Sequence, residues 1–127
     1  MFGELAARPP GGHLMRLMAL AYGIDPWEAV LRIALGESPD LPERAECAAA
    51  VRILHPGAGT VRAVEGVEAA RRLDGVDEVS VRVRPGDMLP TREGTGQEAG
   101  HVLVAGATAA EAEARLAAAV AEVRIEV

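Results

Sequence analysis

The stretch "GHVLVAGATAAEAEARLAAAVAEVRIEV", residues 100–127, carries three periodicities in succession and decides the fold. Residues 101–105 are apolar on both faces after His101, which predicts a buried strand. Thr108 followed three places later by Glu111 is a capping box, and the alanine-rich run behind it predicts a helix to residue 121. Glu111 and Arg115 stand at i,i+4 spacing on its outer side. Residues 123–127, "VRIEV", alternate apolar and polar and predict a closing strand.

Upstream lies the clearest strand, residues 76–84. Val79, Val81 and Val83 face one way, while Ser80, Arg82 and Arg84 face the other. "RPGD" follows as a tight turn at Pro85 and Gly86, with Asp87 tightening it. Residues 90–100, "PTREGTGQEAG", read as a hairpin loop or flap. Before that strand come a short strand over 60–64 and a short helix over 67–73 that stops at Asp74-Gly75. From residue 60 onward the order is therefore strand, helix, strand, strand, helix, strand. Two right-handed crossovers of this kind give an antiparallel sheet with both helices on one face, as in ferredoxin-like (β-α-β-β-α-β) folds. Residues 46–54 alternate as well: Cys47, Ala49, Val51 and Ile53 share one side. They predict an extra strand that extends this sheet or links it to what precedes it.

What precedes it is helical. Leu14, Leu17, Met18 and Ala21 recur at helical spacing over 13–22, and Gly23 is a natural C-terminal cap. "DPWE" opens a second helix, with Asp25 as N-cap, Pro26 at the first helical position and Glu28 closing a capping box. Trp27, Val30, Leu31 and Ala34 form one face, and Gly36 ends it. "ESPDLPER" then reads as a linker. The fold class is α+β: an N-terminal helical hairpin followed by the antiparallel sheet. The domains are residues 1–37 and 38–127.

Of the 127 residues, 50% are hydrophobic, enough for a core, but only Phe2, Tyr22 and Trp27 are aromatic. Small residues must therefore make the close contacts, and no aromatic binding platform is available. The net charge of −6 disfavours nucleic acid, which needs a basic face. All 13 basic side chains are arginine, so no lysine nucleophile, Schiff base or phosphate-binding lysine comes from this chain. Cys47 is the only cysteine, which forbids an intrachain disulfide and suits a reducing compartment. Apolar runs are short and broken by charge, no signal peptide shows, and the expectation is a cytoplasmic protein without a membrane span.

Chemistry is concentrated at the start, in "ELAARPPGGHLMRL", residues 4–17. An extended Glu4 to Arg8 would project both side chains to one side. A carboxylate there suits magnesium, and an arginine suits a carboxylate or phosphate. Gly11 and Gly12 let a backbone approach closely just before a helix start, which favours anions. By residue chemistry alone the commoner outcome for such a segment is a solvated terminus that happens to carry a glutamate and an arginine. His13, His55 and His101 have no metal-ligand spacing between them or with Cys47, and read as turn or surface residues rather than a cluster. Cys47 reads as a small buried apolar residue.

The opening "ELAARPPGGHLMRLMALAYGIDPWEAVLRIALGE" resembles the end of the ATP-grasp core in carboxylate–amine ligases and their biotin-carboxylase relatives. The remainder, through "PGAGTV", "PGD" and "GHVLVAGAT" to "AEAEARL", looks like the C-terminal domain of L-amino acid ligase-type ATP-grasp enzymes. The ordered set carries the resemblance, and it covers nearly the whole chain. It implies that Glu4 falls on a magnesium-ligand position and that Arg8 falls on the catalytic arginine that contacts phosphate or an acyl-phosphate substrate. Gly11 and Gly12 fall on the cofactor-binding glycine-rich approach to a helix. Ala6 departs from the pattern, which usually has asparagine there, and removes a second metal ligand. For the intact enzyme the resemblance implies ATP and magnesium, formation of an acyl phosphate and its capture by an amine. No cofactor is expected on this chain alone. The sequence then starts inside a larger enzyme's active-site strand, is not catalytic alone, and works with an upstream ATP-grasp lobe in trans.

Two rival expectations come from other classes. One is a stand-alone structural module that forms a homodimer through a sheet edge such as "SVRVR" or "VRIEV". The other is a small-molecule-binding regulatory domain that uses the sheet face and the flap at 90–100.

Overall fold

The structure, a computed structural model, describes residues 8–94 and 96–127. Two helices come first, α1 (Leu14–Tyr22) and α2 (Pro26–Ala34). Gly23 closes α1 in a left-handed conformation, its N–H donating to the Ala19 carbonyl at 2.9 Å. Asp25 caps α2, accepting from the backbone of Trp27 at 2.9 Å and Glu28 at 3.2 Å. The predicted reciprocal bond from Glu28 is replaced. Its carboxylate turns to Arg32 one helical turn on, at 2.7 and 2.9 Å, where a cation offers more than a backbone N–H.

The remaining elements are β1 (Ala48–Leu54), β2 (Gly59–Thr60), β3 (Ala63–Glu65), α3 (Val67–Arg71), β4 (Val76–Val81), β5 (Met88–Leu89), β6 (Gly100–Gly106), α4 (Ala109–Glu122) and β7 (Arg124–Glu126). The class is α+β, with two helices followed by antiparallel sheet, as the sequence predicts. β6 is the central strand of a three-stranded sheet in the order β1-β6-β4, antiparallel to both neighbours. Two pairings of the ferredoxin-like order form, β4 with β6 and β3 with β7. On its other edge β6 takes β1, the extra strand. The strand predicted over 60–64 is broken in two. Fully buried Val61 sits at the break, exchanging bonds with Asp87 and Gly86 at 2.8 Å each, and the chain passes from β5 to β7 across it.

One sheet face meets α3 and α4. Val102, Val104, Val79 and Leu54 pack there against Ala70, Ala112, Leu116 and Ala119. The alanines let helix and sheet approach closely, which is how a chain so poor in aromatics closes a core. Gly66 shows how tight the contact is. It precedes α3 at φ 77°, and a Cβ on it would lie 1.8 Å from the Glu122 carbonyl oxygen. At the start of α4 the Thr108 hydroxyl accepts from Glu111 N at 3.2 Å, while the Glu111 carboxylate reaches back to Ala107 N at 2.7 Å. Arg115, predicted on the outer side, is half-buried instead. It pairs with Glu111 at 2.9 Å and with Asp74, and donates to the Ala105 carbonyl at 2.8 Å, tying α4 to the end of β6.

The opposite face of the sheet carries α1. Alternation along β6 sends His101 and Leu103 there, and Met15 of α1 is buried. α2 makes no comparable closure. Trp27 and Leu31, predicted to share a packed face, are 56% and 64% exposed, and Leu35 is 75% exposed.

Candidate functional site

Two features converge where the N-terminal segment meets the sheet. The first is a groove between α1 and α2. Met15, Met18 and Tyr22 line it from α1, Val30 and Ile33 from α2, with a volume of about 690 Å³. Arg8 is among its lining residues and is exposed; among the described residues its one side-chain hydrogen bond is a long 3.4 Å contact to the Pro9 carbonyl. The guanidinium therefore keeps donors for an anion. Glu4, the expected magnesium ligand, lies outside the described residues. Gly11 has open space beside it, and Gly12 adopts φ 65° next to the Ile53 side chain. The chain turns sharply here, because His13 is left-handed too, at φ 66°, before α1 begins.

The second feature is a cluster the sequence reading missed. The His13 ring stacks on the ring of His101, with centroids 3.7 Å apart and planes 25° from parallel. His13 Nε2 is 2.7 Å from Glu98 Oε1, and Arg82 comes within 3.2 Å of the same oxygen. On the far side of His101, Glu78 Oε1 is 3.4 Å from Nε2. Arg16 approaches Glu78 Oε2 to 2.6 Å as an ion pair whose angle makes no directed hydrogen bond. His101 is 3% exposed, and neither ring nitrogen has a hydrogen-bond partner among the described residues. The expectation that the histidines are turn or surface residues fails for His101, buried on a strand; His13 stands in a turn and His55 is exposed, as expected, but His13 is only partly exposed and meets His101. The cause is topological. β6 carries His101 under the start of α1, so residues far apart in sequence become neighbours that no spacing rule reveals.

The electrostatics follow from this packing. Burial lowers the proton affinity of His101, and the neighbouring His13 lowers it further; Glu78 and Glu98 only partly offset them. Burial alone would raise the Glu98 carboxyl. The His13 hydrogen bond, with His13, Arg82 and His101 close by, outweighs it, and the net shift is downward. The site thus holds an uncharged imidazole against an ionised carboxylate.

The family profile described as L-amino acid ligase C-terminal domain 2 matches residues 52–127, more than half of the chain. The chain belongs to the L-amino acid ligase C-terminal domain 2 family. The resemblance read in the sequence, to the C-terminal part of an ATP-grasp carboxylate–amine ligase, is borne out. Solved structures share the fold of this ligase-type domain. The L-amino acid ligase from Bacillus licheniformis superposes with a TM-score of 0.76 at 24% identity, over 94% of this chain and 30% of that one. Phosphoribosylglycinamide synthetase from Anaerococcus prevotii gives 0.70 at 17%, over 91% and 30%. N5-carboxyaminoimidazole ribonucleotide synthetase from Thermotoga maritima gives 0.60 at 18%, over 86% and 29%. The chain therefore spans about 30% of the length of the structures it matches. No curated protein matches the sequence. Among the described residues no helix is long and apolar enough to cross a membrane.

Proposed function

We propose that this chain is the C-terminal portion of an ATP-dependent carboxylate–amine ligase and supplies one wall of its active-site cleft. Residues 1–37 close the ATP-grasp core, and residues 38–127 form the C-terminal domain. In the complete enzyme a carboxylate substrate takes a phosphoryl group from ATP, and an amine displaces phosphate from the resulting acyl phosphate.

Arg8 binds the anionic substrate or the phosphate being transferred, where its planar donors match paired oxygens. Gly11 and Gly12 bring backbone N–H groups close to the same charge. Glu4 is the residue that would hold magnesium, which neutralises phosphate charge when bound. The chain alone is not catalytic. It has no lysine to offer a triphosphate, and Arg8 stands on an exposed rim.

The observation that carries this reading is the groove between α1 and α2. It is apolar, carries Arg8 in its lining and is lined as well by the exposed Met18, Ile33 and Leu41. Such a surface is a docking face for more protein, and a nucleotide-binding lobe is what a member of this family would set there. The test is reconstitution. This chain, mixed with a separately expressed nucleotide-binding lobe encoded beside it, should give amine-dependent release of phosphate from ATP. A stable symmetric dimer of this chain that buries the same groove and excludes the lobe would contradict it.

A further inference from the structure

We propose that His13, Glu98 and His101 form a binding site for a borderline divalent transition metal, with zinc as its natural size and charge. The site does not use Glu4 and does not depend on the magnesium assignment. One ligand atom from each of the three side chains lies within 4.8 Å of the others. Two imidazoles and one carboxylate are a donor set suited to zinc, cobalt or nickel and ill-suited to magnesium, which takes oxygen ligands.

Two costs meet at this one place, and a metal ion would offset both. His101 is 3% exposed, Nε2 has only the 3.4 Å approach of Glu78 and Nδ1 has no hydrogen-bond partner among the described residues, and a buried polar group without a partner is unfavourable. His13 is the one described non-glycine residue with positive φ, a conformation that persists where surrounding structure enforces it. That backbone turn aims its ring at Glu98 and stacks it on His101.

The rings must first unstack. A metal bound by an imidazole lies in the plane of its ring, so two rings stacked 25° from parallel cannot both point at one ion, and His13, the more exposed of the two, has to swing off the face of His101. Ligand atoms around a tetrahedral zinc stand roughly 3.3 Å apart. The His13–Glu98 pair at 2.7 Å must open slightly, as the proton between them gives way to the metal, and His101 must close in through the nitrogen that faces them. Its other nitrogen is then available to Glu78, the carboxylate support common behind metal-bound histidines. Arg82, 3.2 Å from Glu98 Oε1, yields its share of that oxygen; the Arg82 side chain is 56% exposed and can turn to solvent, while Glu98 is nearly buried. The ion would fasten three segments together: the start of α1, the 90–99 loop and β6.

The experiment uses the tag-free 127-residue chain, stripped of metal with a chelator and titrated with cobalt(II). We expect one ion per chain, visible d–d absorption of a low-symmetry site, displacement by zinc(II), and a melting temperature raised by zinc but not by magnesium. His13→Gln and Glu98→Gln should each abolish stoichiometric binding while leaving the circular dichroism spectrum unchanged. His55→Ala and Cys47→Ser should bind as the parent does. Binding that persists in both His13→Gln and Glu98→Gln, binding lost in His55→Ala or Cys47→Ser, or no saturable binding at all would each overturn the site. Because no nucleotide or partner lobe is involved, none of these results bears on the ligase reading.

Discussion

His101 is kept uncharged by burial on β6 and by the nearness of His13, so acid acts on it through the unfolded chain first. The unfolded histidine takes a proton near its ordinary value of 6.5, while the folded one resists until lower pH. Stability is therefore full above that value and declines as pH falls below it. Glu98 adds a second decline. Its folded carboxyl lies below the ordinary 4.5, so its contribution is present above that pH and is lost as pH falls further. Thermal melts from neutral to acid pH should show both limbs, and His101→Gln should flatten the upper one and, through the loss of a neighbour to Glu98, weaken the lower one. The groups facing this imidazole are His13, Glu78 and Glu98, with Arg16 and Arg82 behind the carboxylates. Arg8 is a contrasting case. Exposed and held by one long contact, it should be replaceable by alanine with a stability change within about 0.5 kcal/mol. The same Arg8→Ala change should abolish activity reconstituted with a nucleotide-binding lobe; full activity would remove Arg8 from the site. Arg8, Gly11 and Gly12 draw attention in the sequence because they stand together in one short run. The pairing of His13 with His101 was not legible there, since it exists only once β6 lies beneath the turn into α1.

Strands announce themselves here by alternation and helices by their caps, and both signals can be tested. Asp25 satisfies two otherwise unpaired N–H groups at the start of α2, so Asp25→Ala should cost about 0.5–2 kcal/mol by chemical denaturation. Leu103, fully buried at the middle of β6, should cost about 2–5 kcal/mol when cut to alanine. Gly66→Ala should be at least as damaging, because it sets a Cβ against the Glu122 carbonyl and at positive φ besides. The helices α1, α2 and α4 and the strands β1, β4 and β6 lie close to where periodicity puts them. Periodicity reports which side of an element is apolar and says nothing of what covers it. For this reason Trp27 and Leu31 read as a packed face yet stand exposed. The break at Val61 escaped for a related reason. A strand that changes partners between β5 and β7 looks, residue by residue, like one continuous strand.

Taken whole, the molecule is closed on one side and open on the other. Its sheet is covered by α3 and α4 with small residues at the contact, while α1 and α2 leave an apolar groove and the exposed Trp27, Leu31 and Leu35. The α+β class and the family were legible because strand order and the ordered set of turns run the length of the chain. What covers the groove was not, since an apolar pattern marks a face and does not name its partner. If the groove seats a nucleotide-binding lobe, Ile33→Glu should weaken association with that lobe while leaving the melting temperature of the isolated chain within a few degrees. The most direct measurement is an equilibrium titration of MgATP into the purified chain, alone and then with the lobe present. The account predicts no saturable nucleotide binding by the chain alone and amine-dependent turnover once the lobe is added. Tight, magnesium-dependent nucleotide binding by the isolated chain would contradict it.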